Sequence, residues 1–188
     1  EERKLELDDS GKIGQFFQEK ILKFYETLHP ESITTIKEVF NTYKASGHNY
    51  NFVSFNYTQA LDKCLEKIPN KKINTRKISN TIYTDTIGGI IHVHGLCNQF
   101  PLMGLNDVEQ IKNPELAKDS AFIKYLIKPS LNKLHRMGNA STASKMIDRS
   151  RIICIYGMSL GETDLLWWKK LILWLNGAKD RHLIIFEH

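Results

Sequence analysis

Apolar residues recur at helical spacing from residue 12 to 28, at Ile13, Phe16, Phe17, Ile21, Leu22, Phe24, Tyr25 and Leu28. Gln18, Glu19, Lys20 and Lys23 fall mostly on the opposite side, so the stretch predicts an amphipathic helix, broken by Pro30. A second helix is expected over residues 32–44, with Ile33, Ile36, Val39, Phe40 and Tyr43 inward and Ser46-Gly47 at its end. The pattern then changes period. Residues 51–55 read as a short strand leading into Asn56-Tyr57-Thr58 and a helix through Leu61 and Leu65 to about Ile68. A short strand over 81–84 and a clearer one over 90–94 follow, the second preceded by Gly88-Gly89 and closed by Gly95. Residues 101–113 read as a loop, 116–136 as a helical region jointed at Pro129, and 137–144 as a flexible, small and polar loop.

The strongest local signal lies at 151–164. Ile152, Ile153, Cys154, Ile155 and Tyr156 form a β-branched and aromatic run suited to a strand buried on both faces. Gly157 allows a sharp turn, and Ser159 with Glu162 three residues later has the capping-box pattern of a helix start. The helix, over about 162–176, holds all three tryptophans and ends at Asn176-Gly177. Trp167, Trp168, Leu171, Trp174 and Leu175 share one side as a core face, while Leu166 and Leu173 lie between the two lysines. That extra apolar surface fits packing beneath other helices, or contact with a missing segment or a second copy. Residues 182–186 make a last strand.

Strands alternating with helices predict an α/β fold with a mainly parallel sheet, in which ligands sit beyond the carboxyl ends of strands. Three strand ends carry conspicuous residues: Asn56, His94-Gly95 and Gly157-Met158-Ser159. A helix N-cap is the plainest role for Asn56 or Thr58. His92 and His94 alternate along the expected strand and so share a face, but no third ligand at suitable spacing accompanies them, and no metal is expected. Gly157-Met158-Ser159-Leu160-Gly161 matches the G-x-S-x-G elbow of hydrolases literally. With a capping partner and no acid and histidine in convincing order, Ser159 reads as a binder rather than a nucleophile.

Length and charge narrow the picture further. At 188 residues the chain suits a single α/β domain, helical over 1–48 and sheet-containing over 49–188. Residues 63–77 hold six basic side chains and one acid, so this one connector carries the whole net charge of +5. A solvated loop is the simplest reading of it; a nucleic-acid partner is the alternative. Three scattered cysteines, no signal peptide and no long apolar run point to the cytoplasm, away from a membrane. Glu1 stands first, with no apolar run in the first ten residues, so the chain reads as part of a longer protein.

FNYTQALD (55–62), IIHVHG (90–95), PLMGLND (101–107) and YGMSLGETD (156–164), in that order, resemble AbiH-type abortive-infection proteins, themselves similar to the sirtuin-like NAD-binding group. The resemblance implies a sirtuin-like Rossmann-type sheet, lacking here its first strand and glycine-rich loop. It also implies an anti-phage protein that binds NAD, with hydrolysis to nicotinamide and ADP-ribose. Under it, Asn56 holds the nicotinamide-side ribose and a reactive water, and His94 acts as base on a ribose hydroxyl. Gly157, Ser159 and Leu160 lie against phosphates and the adenine-side ribose, and Tyr57, Thr58, Gly95 and Asp164 complete the pocket. Thr58 replaces the aspartate found in sirtuins, and the paired cysteines of the deacetylase zinc module are absent.

Overall fold

A computed structural model describes residues 11–99, 101–105, 107–128, 130–131, 138–158 and 164–186. The chain divides into two compact units, one reaching to Ser54 and including Thr58–Ile90, the other formed by Phe55–Tyr57 and Ile91–His188.

In the first unit, α1 (Lys12–Leu22) stops six residues short of the expected length. Pro30 does not merely end a helix; it opens α2 (Pro30–Thr42), where its fixed φ is pre-formed and its missing N–H is not needed. After β1 (Asn49–Ser54), α3 spans Ala60–Glu66. Gln59 is its N-cap, so neither Asn56 nor Thr58 has that role. The basic connector is corrected most. Its second half is a strand, β2 (Lys72–Ile78), paired antiparallel with β3 (Thr81–His92) from Lys72↔Thr86 to Ile78↔Thr81. The sheet order is β1-β3-β2, which leaves β2 at an edge. Exposed Lys72 and Lys77 discourage further strands from pairing there, while Ile73 alone reaches the core. β3 also merges the two short strands expected at 81–84 and 90–94. Gly88-Gly89 sits inside it rather than before it, because a Cβ on Gly88 would stand 2.2 Å from the Asn51 side chain. Asn51 Oδ1 in turn accepts the Gly89 N–H at 3.0 Å. The core of this unit is Leu65, Ile68, Ile73 and Ile87, packed by Phe17, Ile21 and Leu22 of α1 and by Tyr50 and Phe52 of β1.

In the second unit, β4 (Ile152–Tyr156) and β5 (His182–Phe186) form a parallel pair in register from Ile152↔His182 to Tyr156↔Phe186. With β2 and β3 antiparallel and β4 and β5 parallel beside the helices, the α/β class holds. The described strands form two small sheets of mixed direction instead of the single mainly parallel, Rossmann-type sheet expected. The helical region over 116–136 contributes α4 (Ser120–Leu126), capped by Asp119, whose carboxylate accepts from Ala121 N and Phe122 N. The expected flexible loop at 137–144 is largely helix: α5 spans Asn139–Arg149 and buries Ala143 and Ile147 one turn apart. The last helix, α6, spans Leu165–Asn176. Leu171 and Trp174 are buried with Ile147 and Ile155, and Trp167, Trp168 and Leu175 pack against that cluster, the core face read from the sequence. Leu166 and Leu173 are exposed. Among the described residues, no helix is long and apolar enough to cross a membrane.

Candidate functional site

The second unit gathers Phe55, Asn56 and Tyr57 against the stretch that follows β3. That strand ends at His92, so His92 and His94 do not share a strand face as the alternation predicts. His92 is a buried structural residue. Its Nδ1 donates to the Asn56 carbonyl at 3.0 Å, and its own carbonyl accepts from Asn139 Nδ2 at 3.0 Å. His94 lies two residues beyond, buried among aromatic rings. Tyr57 stacks on it with centroids 5.9 Å apart and 26° between planes, and Phe55 meets it edge-on at 5.6 Å. Phe55 is also edge-on to Trp167 at 5.3 Å, which ties the cage to the core face of α6.

Backbone bonds hold this arrangement. Cys97 N donates to Tyr57 O at 2.8 Å, Leu102 N donates to His94 O at 2.7 Å, and Tyr57 OH donates to Leu102 O at 2.9 Å. The loop through Leu102 then reaches the end of α4. Leu105 N donates to Leu126 O at 2.9 Å, and Lys128 N donates to Leu105 O at 2.8 Å. Gly104 allows that approach, since a Cβ there would stand 2.1 Å from the Leu126 carbonyl oxygen. Gly104→Ala is therefore expected to destabilise the second unit by about 1–3 kcal/mol, because backbone must shift to admit the methyl group. Urea unfolding followed by tryptophan fluorescence measures this, all three tryptophans being in that unit.

Electrostatics make the loop more than a strut. Burial, reinforced by the positive charge of Lys128, lowers the His94 pKa to about 4, so the ring is neutral near pH 7. Its Nδ1 is shut off from solvent and has no hydrogen-bond partner among the described residues. Lys128 is itself lowered by burial and pushed back up by Asp164. Tyr57 is raised chiefly by burial, then by its neighbours Cys97 and Asp164. A neutral imidazole, a half-buried ammonium and a carboxylate thus act on one another beside an aromatic cage. Such an arrangement can accept a hydrogen bond from a hydroxyl and balance an anionic group.

Of the residues singled out in the sequence, Asn56, Tyr57, His94, Gly95 and Asp164 belong to this unit, as does Gly157. Asn56 is exposed, and Gly95 is buried with φ 74°. Gly157 makes the expected turn after β4 with φ 61°, a left-handed conformation that favours glycine, and a Cβ on it would meet nothing within 4 Å among the described residues. Met158 packs into the α6 core. Thr58 is exposed and belongs to the first unit. Ser159, Leu160 and the capping box through Glu162 lie outside the described residues. Lys128 escaped the sequence reading, and the available signal was faint: one lysine before Pro129 at the end of the apolar run Tyr125-Leu126-Ile127. Among the described residues, no group of three or more His, Cys, Asp or Glu side chains is placed to hold a metal ion.

The family model described as "Bacteriophage abortive infection AbiH" matches residues 2–186. No curated protein and no solved structure matches the chain.

Proposed function

The chain belongs to the bacteriophage abortive infection AbiH family, and from that premise we propose that it binds NAD and hydrolyses it to nicotinamide and ADP-ribose. One observation carries this reading: a buried, neutral His94 is caged by Phe55 and Tyr57, the two neighbours of Asn56 in the chain. The likeness of these segments to the sirtuin-like group supports it. In the proposed reaction a water oxygen bonds to the ribose anomeric carbon as the glycosidic C–N bond breaks. The electron pair leaves with the pyridinium nitrogen, so nicotinamide departs neutral, and one proton is released. The sugar passes through an oxocarbenium-like state, which calls for a positioned water and an acceptor for a ribose hydroxyl. Asn56 fits the first task and His94 the second. Lys128 supplies positive charge for a phosphate. Loss of cellular NAD would then halt the infected host, and the phage with it.

The low proton affinity of His94 also favours a second reading. An imidazole with a pKa of about 4 orients a hydroxyl well but takes its proton poorly at neutral pH, as a site that senses a nucleotide without consuming it would require. One experiment separates the two. The full chain is incubated with NAD, with nicotinamide measured by chromatography and binding by calorimetry. Hydrolysis predicts release, reduced at least tenfold in both Asn56→Ala and His94→Ala. Binding without release selects the sensor, and absence of binding removes both.

A further inference from the structure

We propose that the first unit carries a second, separate binding site, for a neutral planar heterocycle of nucleobase size that presents N–H donors. The site is a cavity of about 260 Å³ where the ends of α1 and α2 meet the sheet. That is far more than the roughly 30 Å³ share of one water, and just under the roughly 300–1,000 Å³ of pockets for drug-sized ligands. One or two fused rings fit it; a dinucleotide does not.

Tyr25, Phe40 and Tyr50 supply ring faces and edges along its wall. Tyr25 and Phe40 are tilted with centroids 5.8 Å apart, and Phe40 is edge-on to His48 at 5.2 Å. Such surroundings favour a flat, polarisable guest. Asn74 stands opposite Asp85 in the β2–β3 register, and Asn41 comes from the last turn of α2. Two amides and a carboxylate thus share the wall with these rings, Leu22, Lys44 and Arg76, and make a polar recognition edge on a largely aromatic hollow.

Asp85 is the decisive group. Its residue is 2% exposed, yet it lines the cavity. Arg76 Nη1 donates to Oδ2 at 2.5 Å, His48 N donates to Oδ1 at 2.8 Å, and His48 Nδ1 stands 3.1 Å from Oδ1, which leaves a lone pair on Oδ2 for a further donor. Because Arg76 already neutralises this carboxylate, the wall offers no unpaired buried charge to an anion, and the other charged lining residue, Lys44, is exposed. The favoured guest is therefore uncharged, with N–H groups for Asp85 and a ring for the tyrosines.

Saturation-transfer NMR on the full chain tests this, with adenine and cytosine as probes and orotate as an anionic ring of similar size. Saturation of adenine or cytosine ring protons is expected, with little for orotate. Asn41→Trp, which fills the hollow from an exposed position, should weaken binding at least tenfold without moving the unfolding midpoint. Should that variant fold poorly, Asn74→Leu removes an amide from the same wall and should weaken binding likewise. His94→Ala should leave base binding intact, which separates this site from the one in the second unit. The proposal is overturned if neither base binds at millimolar concentration, if affinity survives the wall substitutions, or if it vanishes in His94→Ala instead.

Discussion

Arg76→Ala is expected to destabilise the first unit by about 3 kcal/mol, the lower part of the roughly 3–5 kcal/mol lost when one partner of a buried ion pair is removed. An exposed pair would be worth at most about 1 kcal/mol, so burial decides the size of the effect. The Asp85 side chain is 3% exposed and that of Arg76 22%. Alanine would leave a carboxylate in the interior with only backbone and histidine neighbours. It would also release the end of α2, because Arg76 Nε donates to Lys44 O at 3.0 Å and Nη2 to Ser46 O. The guanidinium thus ties two carbonyls beyond α2 to a carboxylate on β3 in one planar fork. Arg76→Lys keeps the charge but not the fork, so an intermediate loss is expected. Adding Asp85→Asn to the alanine variant should recover part of the loss, since no buried charge then remains. Tryptophan fluorescence reports the second unit, so the measurement is urea-dependent hydrogen exchange at the β2–β3 ladder. A change below about 1 kcal/mol there would mean that water solvates Asp85 well enough to replace its partner.

The same strand shows where the sequence stops being legible. Lys72-Ile73-Asn74-Thr75-Arg76-Lys77-Ile78 has no apolar alternation, because an edge strand in a small sheet buries little: Ile73 is in the core and Ile78 half-buried. Charge placed for solubility and pairing control looks like a loop. α5 was hidden for a related reason. Ala143 and Ile147 alone are its buried positions, and its first turn, Asn139-Ala140-Ser141-Thr142, carries the residues of a turn. Elements such as α2, β4, β5 and α6 were readable because their apolar runs stand out in the sequence, not because all of them are deeply buried. Ile36 alone is buried in α2 and Ile155 alone in β4, where Tyr156 is exposed and the strand is not buried on both faces as expected. For the candidate site, strand-end reasoning picked out Asn56 and His94, which lie two residues past the ends of β1 and β3 in the chain. Lys128 was not readable. It is brought toward them by the Leu105–Ile127 bridge, a contact between two irregular segments that leaves no periodic trace.

Between pH 7 and pH 4 the second unit should lose up to about 3 kcal/mol of stability through His94 alone, at about 1.4 kcal/mol per unit of pKa shift. Burial, with Lys128 assisting, holds the folded-state pKa at about 4 against 6.5 for the unshifted group. The unfolded chain therefore binds a proton near pH 6.5 that the folded chain refuses until about pH 4. Stability is complete above the unfolded value and falls as pH drops through this window, reaching its full loss below about 4. Asp164 and Lys128 face the same region; Lys128 keeps its charge throughout, and so continues to oppose protonation of the ring. His94→Gln retains a polar side chain without the titration, so its stability should vary less with pH over this range, whatever its absolute value. Urea unfolding followed by tryptophan fluorescence at pH 7, 6, 5 and 4 gives both curves. As pH falls, wild type should lose up to about 3 kcal/mol relative to His94→Gln; parallel curves would show that the ring accepts its proton in the folded state, and the neutral acceptor assigned to it in either reading of the site would be lost.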